Sequence, residues 1–151
     1  GQRPQDVIWE VTASRFMHSL PRTLRHLARL SLKKCGLSID DFGTGHSSLT
    51  QLRDLPFAEL KIDRSFVHEG SDDAVRQAIV SASASMARSL GMPCIAEGVE
   101  TLDDWRFVQV LGCTHAQGWV IARPMPAMAI PSWLERWPNE FLMIRSKVEG
   151  N

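Results

Sequence analysis

The sequence lacks most of the features by which composition alone betrays a function. It carries no net charge, with 17 Lys and Arg against 17 Asp and Glu in 151 residues, so no basic surface points to a DNA or RNA polymer as partner. No apolar run approaches the roughly 20 residues that cross a bilayer, and direct membrane insertion by this segment is not expected. The start, Gly1-Gln2-Arg3-Pro4, is polar and does not read as a secretory signal. There are only three cysteines, Cys35, Cys94 and Cys113, and no CxxC pair. An odd, scattered set fits reduced thiols in the cytoplasm better than a disulfide framework. Cys94 and Cys113 lie in apolar stretches and are expected to be buried as small hydrophobes. The five histidines show neither HxxxH nor HxH spacing, so they offer no zinc site. Linkers and low-complexity segments are also missing. With 44% hydrophobic and 23% charged residues, the chain is expected to form one globular unit.

What is present is alternation. Short apolar runs at Val7–Trp9, Leu37–Ile39, Leu60–Ile62, Met92–Ala96 and Thr114–Ala116 are separated by stretches with apolar residues three and four apart, the period of an amphipathic helix. Leu20, Leu24, Leu27 and Ala28 form one stripe, with Gly36 expected as its C-cap. Val75, Ala78, Ile79, Ala82 and Met86 form another, closed by Gly91. Trp105, Val108 and Leu111 form a third, closed by Gly112 and opened by the capping-box pattern Thr101-Leu102-Asp103-Asp104. A weaker helix is expected after His46, with Leu49 and Leu52 on one face, and a short one over Pro131–Trp137, ended by Pro138. Strands alternating with helices imply a parallel sheet with right-handed crossovers, in either a barrel or an open α/β sheet.

Each apolar run ends in a charged or amide residue: Glu10, Asp40 with Asp41, Asp63, Glu97 and Gln117, spaced 20 to 34 residues apart. Parallel strands point their C-terminal ends the same way, so these side chains should converge on one mouth. A single carboxylate at a strand end is ordinarily a helix N-cap. Four strand ends in succession repel one another unless a cation neutralises them, and an all-oxygen donor set suits Mg²⁺ or Mn²⁺. Such an ion can hold a phosphate ester and activate water. Lys61, inside the third run, adds a charge able to stabilise a transition-state phosphate or orient the water. The loop Asp40-Asp41-Phe42-Gly43-Thr44-Gly45-His46-Ser47-Ser48 is neither GxGxxG nor a Walker sequence, and reads as a mobile loop over the site rather than a phosphate cradle.

These motifs resemble the C-terminal part of the EAL domain, a bacterial family that hydrolyses cyclic di-GMP. Asp40 to Leu49 resembles the family's DDFGTGYSSL loop, and Leu55 to Val67 its LPxxxLKIDRSFV segment. Ala96-Glu97-Gly98-Val99-Glu100-Thr101 is its AEGVET motif. Gln117-Gly118-Trp119 and Ala122-Arg123-Pro124-Met125-Pro126 resemble its QGY(F) and RPxP ending, and Glu10-Val11-Thr12 the start of ExTES. The resemblance implies a (β/α)8 TIM-type barrel, here in part with about five parallel strands, residues 1–151 forming a single truncated domain. It implies metal-dependent cleavage of one phosphodiester of cyclic di-GMP to linear pGpG, water attacking phosphorus in line at a two-metal site. By position, Glu10, Asp40, Asp41 and Glu97 would be metal ligands, with Glu97 and Lys61 acting in catalysis. Asp63, Glu100 and Gln117 would support the site or hold substrate, and Phe42, Gly43, Thr44 and Gly45 would form the loop.

Three departures qualify that expectation. The Glu-Ala-Leu signature and an Asn ligand of the family are not in these residues, Ala13 stands where the family has a Glu that anchors the loop, and His46 replaces its usual Tyr. These 151 residues alone are therefore expected to turn over little substrate. The alternative is a degenerate module acting as a cyclic di-GMP receptor or interaction surface, and the residues alone would also suit an unrelated metal-dependent hydrolase. About five of eight strands would leave open sheet edges, which predicts a homodimer or larger oligomer.

Overall fold

A computed structural model describes residues 3–12, 20–44 and 56–149, giving only the backbone of 20–24 and 149. Ala13, Gly45, His46 and the helix expected after it lie outside the described residues.

Five strands form one sheet: β1 (Ile8–Thr12), β2 (Gly36–Phe42), β3 (Glu59–Ile62), β4 (Cys94–Glu97) and β5 (His115–Gln117). Every neighbouring pair is parallel and the order is sequential, β1 to β5. An order that never reverses is that of a barrel arc, whereas a doubly wound sheet turns back on itself. The helices are α1 (Leu20–Leu32), α2 (Arg64–Val67), α3 (Ala74–Ser89), α4 (Leu102–Val110) and α5 (Ile130–Glu149). Among the described residues, no helix is long and apolar enough to cross a membrane.

The core follows the middle of the sheet. Leu37, Ile39, Leu60, Ile62, Cys94 and Ala96 are all but inaccessible to solvent, while Ile8 and Trp9 on β1 are half exposed. Each fully buried Leu or Ile contributes roughly 1.5–3 kcal/mol, so the central strands hold the scaffold. Helix α3 forms as its period predicts, but rotated. Its buried face is Val80, Ser83, Ala84 and Ala87, and Val75 of the expected stripe is exposed. Small residues let the helix lie close on β3 and β4, and the Ser83 hydroxyl is satisfied by donating to the Ile79 carbonyl at 2.7 Å.

Three helices end by one device, a left-handed residue followed by an amide that bonds back to the last turn. Gly91 and Gly112 serve α3 and α4, with Met92 N donating to Ala87 O and Cys113 N to Val108 O. At α1 the same place is taken by Lys34 (φ 64°), with Cys35 N donating to Leu30 O. Gly36 is not that cap. It opens β2, where an added Cβ would sit 3.1 Å from the Ile8 side chain; its smallness serves strand approach. The terminal helix also departs from expectation, because α5 runs through Pro138 to Glu149. Trp133, Trp137 and Phe141 recur every four residues and stack in series, and Phe141 meets Trp105 of α4 at 6.0 Å. That packing outweighs the backbone hydrogen bond that proline forfeits.

Candidate functional site

The residues at the strand ends converge around one ammonium. Lys61 on β3 is 4% exposed. Its Nζ donates to Glu10 Oε1 of β1 at 2.7 Å, pairs closely with Glu97 Oε1 of β4, and lies 3.9 Å from Asp40 Oδ1 of β2. Parallel register brings this about: Glu10 pairs with Ser38 on β2, and Lys61 with Ile95 on β4. Burial works against the lysine's charge, yet the bonds it donates to Glu10 and Glu97 outweigh that and hold the ammonium above its ordinary range. Glu97 moves the opposite way from a simple ion pair. Its burial, helped by the charges of Asp40 and Glu10, outweighs Lys61 and raises the carboxyl's pKa.

The two adjacent carboxylates on β2 sit at an irregularity that the sequence did not announce. Ile39 pairs with Leu60 but Phe42 pairs with Ile62, so β2 carries one extra residue, and Asp41 is left-handed at φ 54°. A bulge breaks the alternation that would send neighbouring side chains to opposite faces. Asp41 thus faces Asp63 as well as Asp40; burial first, then those two charges, push its pKa up. Phe42 is buried beneath, and Thr44 Oγ1 donates to the Asp41 carbonyl at 2.9 Å, closing the turn at Gly43.

Beyond this cluster the remaining expected residues separate. Asp63 caps α2, accepting from Ser65 N at 2.9 Å. Glu100 turns to Arg64, 2.8 Å away. Gln117 ends β5 and, with Glu97, Glu100, Arg64, Trp119 and Arg123, lines a cleft of about 410 Å³ beside the cluster. Arg123 lies over the Trp119 ring at 4.3 Å. An apolar groove of about 420 Å³, between α4, β5 and α5, lies apart from the carboxylates. Sequence reading assigned no part to Arg64 or Asp104. Arg64 lies over Gly98, where a Cβ would come within 2.7 Å of the arginine's own Cβ and the backbone is left-handed at φ 71°. Asp104 carried a signal, the capping box, and Thr101 and Asp104 do cap α4 reciprocally; its wider contacts had no sequence signature.

The donor chemistry suits a divalent cation. Every side chain at the cluster except Lys61 offers oxygen, and Asp40 Oδ1 is buried without a hydrogen-bond partner. Among the described residues no three His, Cys, Asp or Glu are gathered closely enough to hold an ion as they stand; Lys61 stands between them.

Comparison with known proteins identifies the family. The EAL domain family matches residues 1–124. The chain is 48% identical over 124 residues to the bifunctional diguanylate cyclase/cyclic di-GMP phosphodiesterase MucR of Pseudomonas aeruginosa, covering 82% of this chain and 18% of that relative. The solved MucR phosphodiesterase in complex with c-di-GMP superposes with a TM-score of 0.79 at 46% identity, over 85% of this chain and 52% of that one. Klebsiella pneumoniae BlrP1, solved with manganese and cyclic di-GMP, gives 0.77 at 34% identity over 82% and 32%; another structure of BlrP1 holds calcium. The chain thus spans about half, or less, of each of these relatives. On family match, identity and parallel-barrel topology together, the chain belongs to the EAL domain family.

Proposed function

We propose that the protein containing this chain is a cyclic di-GMP phosphodiesterase that cleaves one phosphodiester, with a divalent metal, to linear pGpG. The observation that carries the reading is the convergence of Glu10, Asp40 and Glu97 from three strands on the buried Lys61, with a buried oxygen of Asp40 that has no hydrogen-bond partner. Glu10, Asp40, Asp41 and Glu97 would hold Mg²⁺ or Mn²⁺, which when bound lowers the pKa of water and neutralises phosphate charge. Relieved of its carboxylate partners, Lys61 can turn its ammonium to the substrate phosphate or hold the attacking water by hydrogen bonding. Glu97, which ends β4 among the other carboxylates, would take the water's proton. Asp63 keeps the β3 end in place, Glu100 holds Arg64, and Gln117 and the cleft beside it supply room for substrate. Phe42, expected in the covering loop, instead ends β2 inside the core, and Gly43, Thr44 and Gly45 would form that loop.

A second reading, a receptor that binds the dinucleotide without cleaving it, is favoured by one observation: Lys61 already occupies the centre of the carboxylates. The test is full-length protein with Mn²⁺ and cyclic di-GMP, followed by chromatography. Linear product that disappears in Glu97→Gln supports the enzyme; tight binding without turnover supports the receptor.

Assembly and location belong to the same proposal. Among the described residues β1 and β5 each pair on one side only, and open parallel edges invite a neighbour, so a homodimer or larger oligomer is expected. Light scattering at micromolar concentration should give more than a monomer's mass; a clean monomer contradicts it. Cytoplasmic location fits three free cysteines.

A further inference from the structure

One buried carboxylate outside the cluster is bonded far beyond what capping a helix requires. Asp104, the third residue of α4, is 3% exposed. Its Oδ2 accepts from Glu100 N and Thr101 N, each at 3.0 Å, and from His68 Nδ1 at 3.1 Å, and its Oδ1 accepts from Glu69 N at 3.0 Å. The last two partners are not on α4's own loop. They belong to the turn after α2, where Glu69 is held left-handed at φ 53°, a conformation unfavourable for a residue with a side chain. Arg76 of α3 grips that turn from the other side, its Nη1 donating to His68 O at 3.0 Å.

Asp104 therefore ties together the two segments that follow the strands of Lys61 and Glu97. One is Asp63–Glu69, which begins two residues after Lys61. The other is Gly98–Thr101, which begins directly after Glu97. Arg64 and Glu100 close the same gap nearer the cluster at 2.8 Å. A helix cap alone would need the Thr101 and Glu100 amides; it would not need His68 and Glu69.

We propose that Asp104, with His68, is a positioning residue for the metal site: it fixes the spacing of Glu97 against Lys61 by clamping their two strand-end loops. The inference rests on the phosphodiesterase reading for its functional meaning. All four of its partners donate, so an amide cannot replace the carboxylate: in Asp104→Asn one corner would present N–H to N–H. Groups that act by holding metal ligands in place are typically worth about 10–100-fold in metal affinity or activity when removed.

The test measures Mn²⁺ affinity by calorimetry on the full-length protein, with melting temperature and cyclic di-GMP kinetics alongside. Asp104→Asn is expected to weaken Mn²⁺ binding about 10-fold or more and to lower kcat. His68→Leu, which removes one of the four donors, should weaken it by a smaller factor and remains informative if Asp104→Asn does not fold. Gly91→Ala is the control: it puts a side chain on the left-handed residue (φ 70°) that ends α3, where an added Cβ meets nothing within 4 Å, so it should lower the melting temperature while leaving Mn²⁺ affinity within about twofold, since that end of α3 holds no metal ligand. Unchanged Mn²⁺ affinity in Asp104→Asn and His68→Leu overturns the proposal, as does an equal loss in Gly91→Ala, which would make the effect one of stability alone. A wild-type protein that binds no Mn²⁺ removes the metal-dependent reading and this inference together, whereas metal binding and turnover that ignore Asp104 and His68 remove only the inference.

Discussion

The ends of β2 and β4 carry carboxylates of two kinds. At β4 and the start of α4, Glu100 meets Arg64 and Asp104 accepts from four donors. At β2, Asp40 leaves one buried oxygen without a hydrogen-bond partner, and Asp41 is crowded by Asp40 and Asp63. Their pKa values move apart accordingly: burial opposes ionisation in both, but the amides and His68 win at Asp104 and lower it, while at Asp41 the neighbouring charges add to burial and raise it. Carboxylates satisfied by donors build the frame; those left in mutual repulsion are available to a cation. Glu97 stands where the two meet.

The largest effect should come from Glu97→Gln. A residue that touches the reacting centre should cost more in kcat/KM than the roughly 100-fold upper end for outer-shell groups, with melting temperature little changed; a loss of only a few-fold would move Glu97 to the frame. Lys61→Met comes next. It strips the ammonium from between Glu10, Asp40 and Glu97, and should destabilise by roughly 2–3 kcal/mol, less than the 3–5 of a fully buried pair because Glu10 meets solvent and Glu97, already raised, can protonate. Added Mn²⁺ should then raise its melting temperature more than that of the wild type; no response to Mn²⁺ would contradict the idea that these carboxylates await a cation.

On the satisfied side, Gly98→Ala should cost about 1–2 kcal/mol, from a left-handed backbone and from displacing Arg64 off Glu100; denaturant unfolding measures it, and a neutral outcome would mean Arg64 is free to move. The smallest effect is in acid, where the two sets should respond with opposite sign. Asp104 is held below the ordinary 3.8, so its contribution is present above that value and is lost as pH falls through its lowered pKa. Asp41 and Glu97 are raised above 3.8 and 4.5, so their ionisation costs stability at neutral pH, and acidifying through their raised pKa values down to those ordinary ones relieves the cost. In metal-free protein, Asp104→Asn should flatten the acid limb below 3.8, whereas Asp41→Asn should remove the gain above it. If both variants alter the same limb, the division between the two sets is wrong.

Much of this was legible in the sequence. The strands were, because apolar runs bounded by polar residues mark them directly, and so was the convergence of Glu10, Asp40, Lys61 and Glu97, since parallel strands must end on one side. The bulge that turns Asp40 and Asp41 together was not, since it is a mismatch between two strands and neither shows it alone. Asp104 could be read as a cap from Thr101, three residues before it, but not as the acceptor for His68 and Glu69, a contact that exists only once α2 and α4 are side by side. The rotation of α3 and the passage of α5 through Pro138 share that cause: tertiary packing chose among faces and lengths that local pattern left open.

The central claim is that the crowded carboxylates at the strand ends are kept for a divalent cation on which turnover depends. Full-length protein stripped with EDTA, dialysed and then titrated with Mn²⁺ while cyclic di-GMP loss is followed tests it most directly. The account predicts no turnover after stripping and saturable recovery as Mn²⁺ is restored; hydrolysis at an undiminished rate in the stripped protein would contradict it.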